Sequence, residues 1–169
     1  MASGIRTSIK VEGLNELRIA LQELPIKAQE RVLPGAVAKG AVVIRNLARK
    51  YAPTLKIPTP RRIAGLLRRM IRSTRGVRRA TEATAFVSVR RLSAKAITKF
   101  KRMTGKGSSE NQNDPFYWRF QEFGTAKMAA KPFLRPAFDQ GKEQAVQVIK
   151  DELSAGIERE ITKLRKFKA

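Results

Sequence analysis

The chain has 169 residues and contains neither cysteine nor histidine. That length suits one domain with a core of useful size, and the missing residue types exclude disulfides, thiol catalysis, a histidine base and Cys/His zinc sites. Lysine and arginine number 36 against 14 acids, for a formal net charge of +22. The excess is concentrated. From Arg45 to Lys106 there are 19 basic residues and a single acid, Glu82. Like charges at that density repel one another unless counterions accompany them, and a nearby polyanion is the simplest source. Many of these residues are arginine, whose planar donor fork suits phosphate. A solvated face that only keeps the chain soluble is the bland alternative. No apolar run approaches the roughly 18 residues of a spanning helix, and the first residues lack a signal-peptide core. The expectation is a protein that is cytoplasmic where it is made, with no membrane partner.

Residues 1–12 read as a short extended lead-in, with Ile5, Ile9 and Val11 apolar. A helix is predicted from Gly13 to Leu24, where Leu14, Leu17, Leu21 and Leu24 recur at three- and four-residue spacing. Pro25 restricts the residue before it and ends that helix. A second helix runs from about Ile26 to Tyr51, with a kink expected at Pro34-Gly35. Its stripe is Leu33, Val37, Gly40, Ile44, Leu47 and Tyr51, and Ala36, Gly40 and Ala41 are small enough for close packing. Three prolines between Pro53 and Pro60 make an extended loop.

Ile63, Leu66, Leu67, Met70 and Ile71 fit a helix as well as a strand. A strand over Leu66–Thr74 is preferred, because Gly76 follows and a plainer strand comes next. In that second strand, Thr81–Leu92, Ala83, Ala85, Val87 and Val89 alternate with Glu82, Thr84, Phe86 and Ser88. The two strands would pair across Gly76–Arg79, with Arg72, Arg75, Arg78 and Arg79 at the hairpin tip and Arg90 and Arg91 at the far end. Such a tip must reach water or an anion. Together with Arg68 and Arg69, these arginines are the candidate contacts to DNA or to an acidic partner. Ser93–Asn113 is polar and reads as a long loop, mobile or ordered by a partner, with Ile97, Phe100 and Met103 allowing a helical turn or two.

Asp114–Phe138 holds seven of the eleven aromatics, Phe116, Tyr117, Trp118, Phe120, Phe123, Phe133 and Phe138. Large aromatics dominate burial energy, so this segment is expected to touch most of the core. Its first part reads as a strand or short helix. Gly124 permits a sharp reversal, and Pro136 suits the first turn of a helix. That helix runs from Ala137 to about Phe167 along Phe138, Ala145 or Val146, Ile149, Leu153, Ile157, Ile161 and Leu164, with Gly156 as a weak point. From residue 154 onward it is strongly basic, which suits the negative end of a helix dipole.

No catalytic constellation is visible. The acids are scattered, Gly105-Lys106-Gly107-Ser108 lacks the glycine spacing of a phosphate loop, and metal-ligand spacing is absent. Glu122 reads as half of a buried pair with Arg119 or Arg135 that holds the turn, rather than as a general acid. Neither an enzyme nor a cofactor is expected.

Glu122-Phe123-Gly124-Thr125 followed by Pro132-Phe133-Leu134-Arg135-Pro136-Ala137 resembles the tail-component family of long-tailed double-stranded DNA phages, the tail completion or head–tail joining proteins. Val11-Glu12-Gly13-Leu14 before helices, and Gly65-Leu66-Leu67-Arg68 before strands, are similar to other landmarks of that family in the same order. The long 93–113 segment and the basic tail depart from it. The resemblance implies a small α+β protomer, and the residues themselves make 1–169 a single domain in which N-terminal helices and a long C-terminal helix pack on a small antiparallel sheet with a basic hairpin and a long loop. It also implies a virion protein of the neck or tail, in a cyclic homo-oligomer of six or twelve copies around the DNA channel, with neighbouring neck and tail proteins as partners. Charge alone equally suits a free, non-specific nucleic-acid binder. The aromatics do not interleave with the basic run as base-stacking platforms would.

Overall fold

The computed structural model describes residues 13–54, 62–79 and 81–168. The lead-in 1–12 and most of the proline loop lie outside the described residues. The leucine spacing after Gly13 yields helix α1 (Leu14–Gln22), with Leu21 and Leu24 buried. Pro25 does more than stop that helix, because it is also the N-cap of α2 (Ile26–Tyr51). The buried Gln29 side chain donates to the Leu24 carbonyl at 2.7 Å and ties the two helices together. Pro34 sits inside α2, where it removes one backbone donor without ending the helix.

The axis of the fold is the packing of α2 along α6 (Leu134–Lys168). Small residues set the separation: a Cβ on Gly40 would lie 2.6 Å from Ile149 Cγ1, and one on Gly156 2.8 Å from Val32 Cγ1. α6 runs through Gly156 instead of weakening there, and Val32 of α2 takes the space a side chain at that position would need. One core cluster gathers Leu21, Leu24, Val32, Leu153 and Ile157 where α1 covers the α2–α6 seam. A second gathers Ala48, Leu67, Ile71, Val89, Phe133 and Ala137.

Leu66 begins a short helix, α3 (Leu66–Met70), and not a strand. Leu66 and Leu67 are both 2% exposed. The Arg69 N–H donates to the Gly65 carbonyl at 3.1 Å, the i to i−4 bond of a helical turn. Strand β1 (Ile71–Arg78) follows and pairs antiparallel with β2 (Ala83–Val89), Ile71 opposite Val89 and Thr74 opposite Phe86, with an irregularity between Arg75 and Arg78. Because β1 reaches Arg78, the reversal falls at residues 79–82. Arg72 and Arg75 therefore lie along the strand and not at the hairpin tip. Both strands pack on α2.

The expected loop at 93–113 contains a helix. Ser93 caps α4 (Ala94–Thr104) by accepting the Ala96 N–H at 3.2 Å, Gly105 ends it at φ 70°, and a 3-10 turn spans Ser108–Glu110. The polar composition concealed it because α4 buries none of its residues fully. A final short helix, α5 (Trp118–Phe123), precedes the turn into α6. The aromatic segment fills less of the core than its composition predicts. Phe133 is fully buried and Trp118 packs beside it, while Phe120, Phe123 and Phe138 are exposed. A helix as short as α5 offers the core only one side.

Candidate nucleic-acid interface

Glu122, on the last turn of α5, is 1% exposed. Its Oε2 accepts the backbone N–H groups of Phe133 at 2.8 Å and Leu134 at 3.0 Å, and its Oε1 accepts that of Arg135 at 3.1 Å. The opening N–H groups of a helix have no intrahelical acceptor, and negative charge is favourable at that end. One distant carboxylate thus caps α6. The Arg135 guanidinium sits 3.5 Å from Oε1 and donates to the Glu122 carbonyl at 3.3 Å, and its other face covers the Phe123 ring. Pro136, next in the turn, has no N–H to satisfy. Gly124, at φ 74° and ψ −178°, makes the reversal, and a Cβ there would press within 3.0 Å of the Met128 carbonyl. Thr125 and Met128 then close a bridge by exchanging backbone bonds of 2.9 and 3.2 Å. Glu122, Phe123, Gly124, Thr125, Pro132, Phe133, Leu134, Arg135 and Pro136 therefore form one structural device, and the partner of Glu122 is Arg135. Arg119 stacks on Trp118 instead.

The eight candidate arginines do not share one site. Arg79 pairs with Glu82 at 3.6 Å across the turn. Arg91 reaches Asp114 at 3.2 Å, a fully buried carboxylate that also accepts the Ser108 hydroxyl, so this arginine anchors the 93–113 segment to the end of β2. Arg75 lines a recess between α2 and α6 beside Arg31, Lys39, Glu152 and Glu160, where acids and bases alternate. Arg90 is exposed beyond β2. The Arg78 side chain lies outside the description.

Arg68, Arg69 and Arg72 do converge, and they converge on two residues that the hairpin picture omitted, Arg45 and Arg49. Arg49 donates from Nε at 3.1 Å and Nη2 at 2.8 Å to the Ile71 carbonyl, the point where α3 hands over to β1. Burial and then the like charges of Arg45, Arg72 and Arg68 hold its guanidinium below its ordinary pKa. Arg49, Asn46, Arg68 and Arg69 line an open recess of about 440 Å³, and Asn46 Oδ1 accepts two bonds from Arg45 at 2.9 and 3.2 Å. Among the described residues no ion pair involves any of these five arginines. The i, i+4 spacing of Arg45 and Arg49 on a predicted helix was the sequence signal for this face. Asp114 left no comparable signal.

Among the described residues no helix is long and apolar enough to cross a membrane. No family model matches the chain, and no characterised relative or solved structure is similar to it.

Proposed function

We propose that this chain is a structural protein of a phage neck or tail that completes the tail and joins it to the head, one protomer of a ring around the DNA channel. The observation that carries the reading is a division of surfaces. Among the described residues no carboxylate pairs with the five-arginine face bordering α3 and β1, while Phe120 and Phe123, 46% and 62% exposed, leave apolar area uncovered at the α5 turn. A channel protomer needs both: a non-specific electrostatic contact that lets DNA slide, and apolar area for neighbours. The Glu122 device supports the same reading. It gives the two halves of the family-like motif a single physical purpose, capping α6 from across the turn.

In this reading the protein has no catalytic role. It is assembled in the host cytoplasm and resides in the virion. Imaging of particles from the producing bacterium should find a ring of copies at the head–tail junction with Arg68 and Arg72 facing the channel. A ring with that face outward removes the DNA contact but keeps the joining role. Absence of the chain from every particle leaves the second reading, a free non-specific nucleic-acid binder, which the arginine face also favours. That reading requires tight, salt-sensitive binding of duplex DNA by the isolated chain.

A further inference from the structure

An apolar groove of about 530 Å³ runs between α2, β2 and α6, lined by Ile44, Ala85, Val87, Phe138, Val146 and Ile149 among others. It is the open continuation of the seam that α1 covers, and Ile149 belongs to both, packing on the α1 cluster and lining the groove. The geometry names an occupant. α1 starts beside Lys150, whose Nζ lies 3.9 Å from a Cβ built on Gly13, and its later leucines cluster with Leu153 and Ile157. It therefore runs in the same direction as α6. Gly13, where α1 begins, therefore stands at the Lys150 end of the open groove.

The lead-in has the matching pattern. Ile5, Thr7, Ile9 and Val11 fall on one side of an extended chain and Arg6, Ser8, Lys10 and Glu12 on the other. Its reach suffices: twelve extended residues span about 40 Å, whereas the stretch of α6 from Leu134 to Lys150 spans about 24 Å. The neighbouring edge also fits. Among the described residues β2 pairs only with β1, and it ends beside the start of α6, where Val89 clusters with Phe133 and Ala137. β2 thus runs opposite to α6, and so opposite to any chain that enters α1 along it.

We propose that residues 5–11 add a third, antiparallel strand to the free edge of β2 and seat Ile5, Ile9 and Val11 in the groove. The sheet then spans both α2 and α6. The groove is then closed to neighbours in an assembly, while Phe120 and Phe123 stay open to them.

The cysteine-free chain permits a clean test. In the full-length protein, Ile9→Cys with Lys142→Cys should close an intramolecular disulfide under mild oxidation at least about tenfold faster than Lys10→Cys with Lys142→Cys, since position 10 faces away. Equal rates would overturn the proposal. So would disulfides that form only between chains, which would place the segment on a second copy. Independently, hydrogen exchange should show the β2 amides that point away from β1 protected, and Ile9→Asp with Val11→Asp should expose them while the β1-facing amides stay protected. Edge amides that exchange equally fast in both chains would refute the third strand.

Discussion

The start of α6 and the arginine face at Arg49 are both places where charged side chains meet backbone, and they end in opposite electrostatic states. At α6, one carboxylate from α5 meets three N–H groups and a guanidinium, so charge and dipole cancel inside the protomer. At Arg49, a guanidinium is spent on the Ile71 carbonyl while Arg45, Arg68 and Arg72 crowd it, and among the described residues no carboxylate pairs with them. A charge that is satisfied internally holds the fold. A charge that is left over is available to something outside it. Mutation should separate the two kinds.

The largest effect is expected at the cap. Glu122→Ala strands three helix-opening N–H groups in a buried site and should cost about 3 kcal/mol, lowering Tm by about 6–12 °C. Glu122→Gln keeps one acceptor but turns an NH2 group toward a donor, and should cost about half as much. A Glu122→Ala chain as stable as its parent would break the comparison at its first term. Next, Gly40→Val forces a branched side chain into Ile149 and the Ala145 carbonyl, and should cost about 2 kcal/mol in chemical denaturation.

The arginine face should respond the other way. Arg68→Glu with Arg72→Glu should leave stability unchanged or raised, because repulsion around Arg49 is relieved. The same double variant should lower the salt slope of duplex-DNA binding by about 2, at one phosphate contact per arginine. Arg75→Glu, in the mixed-charge recess, should leave that slope near its parent value. Equal slopes for both variants would dissolve the distinction between the two arginine sites.

The smallest effect concerns Glu160, whose carboxyl the hydrogen bond from Lys163 and the charges of Arg31 and Arg159 hold below the usual glutamate range, against a desolvation that raises it. Its folded pKa is lowered, so its contribution is fully present above the ordinary glutamate value and is lost as pH falls through the folded one. Comparing Glu160→Gln with the parent across pH should show a Tm difference near neutrality that vanishes in acid.

Much of this was legible in the residues because it is local. The leucine and small-residue periodicities placed α1, α2 and α6, the alternation from Ala83 to Val89 placed β2, and Gly124 marked a reversal that only a left-handed backbone makes. The α+β class and the pairing of the hairpin followed from them. Leu66–Met70 was misread because five residues do not separate periods of 2 and 3.6, and the backbone bond from Arg69 to Gly65 decides it. Helix α4 was legible only as a turn or two at Ile97, Phe100 and Met103, because the polar residues around them outweigh an apolar stripe that the core does not bury.

The sequence by itself determined the α+β elements, the concentration of arginine and the pairing of Glu122 with an arginine at the turn, since spacing and composition are properties of the chain alone. Only the tertiary structure decided which arginines stand together, that Arg91 is consumed by a buried Asp114 and that Arg49 is pinned beneath Arg68 and Arg72. The physical reason is that a side chain's electrostatic state depends on neighbours tens of residues away, and the packing of α2 against α3 and β1 brings those neighbours within reach.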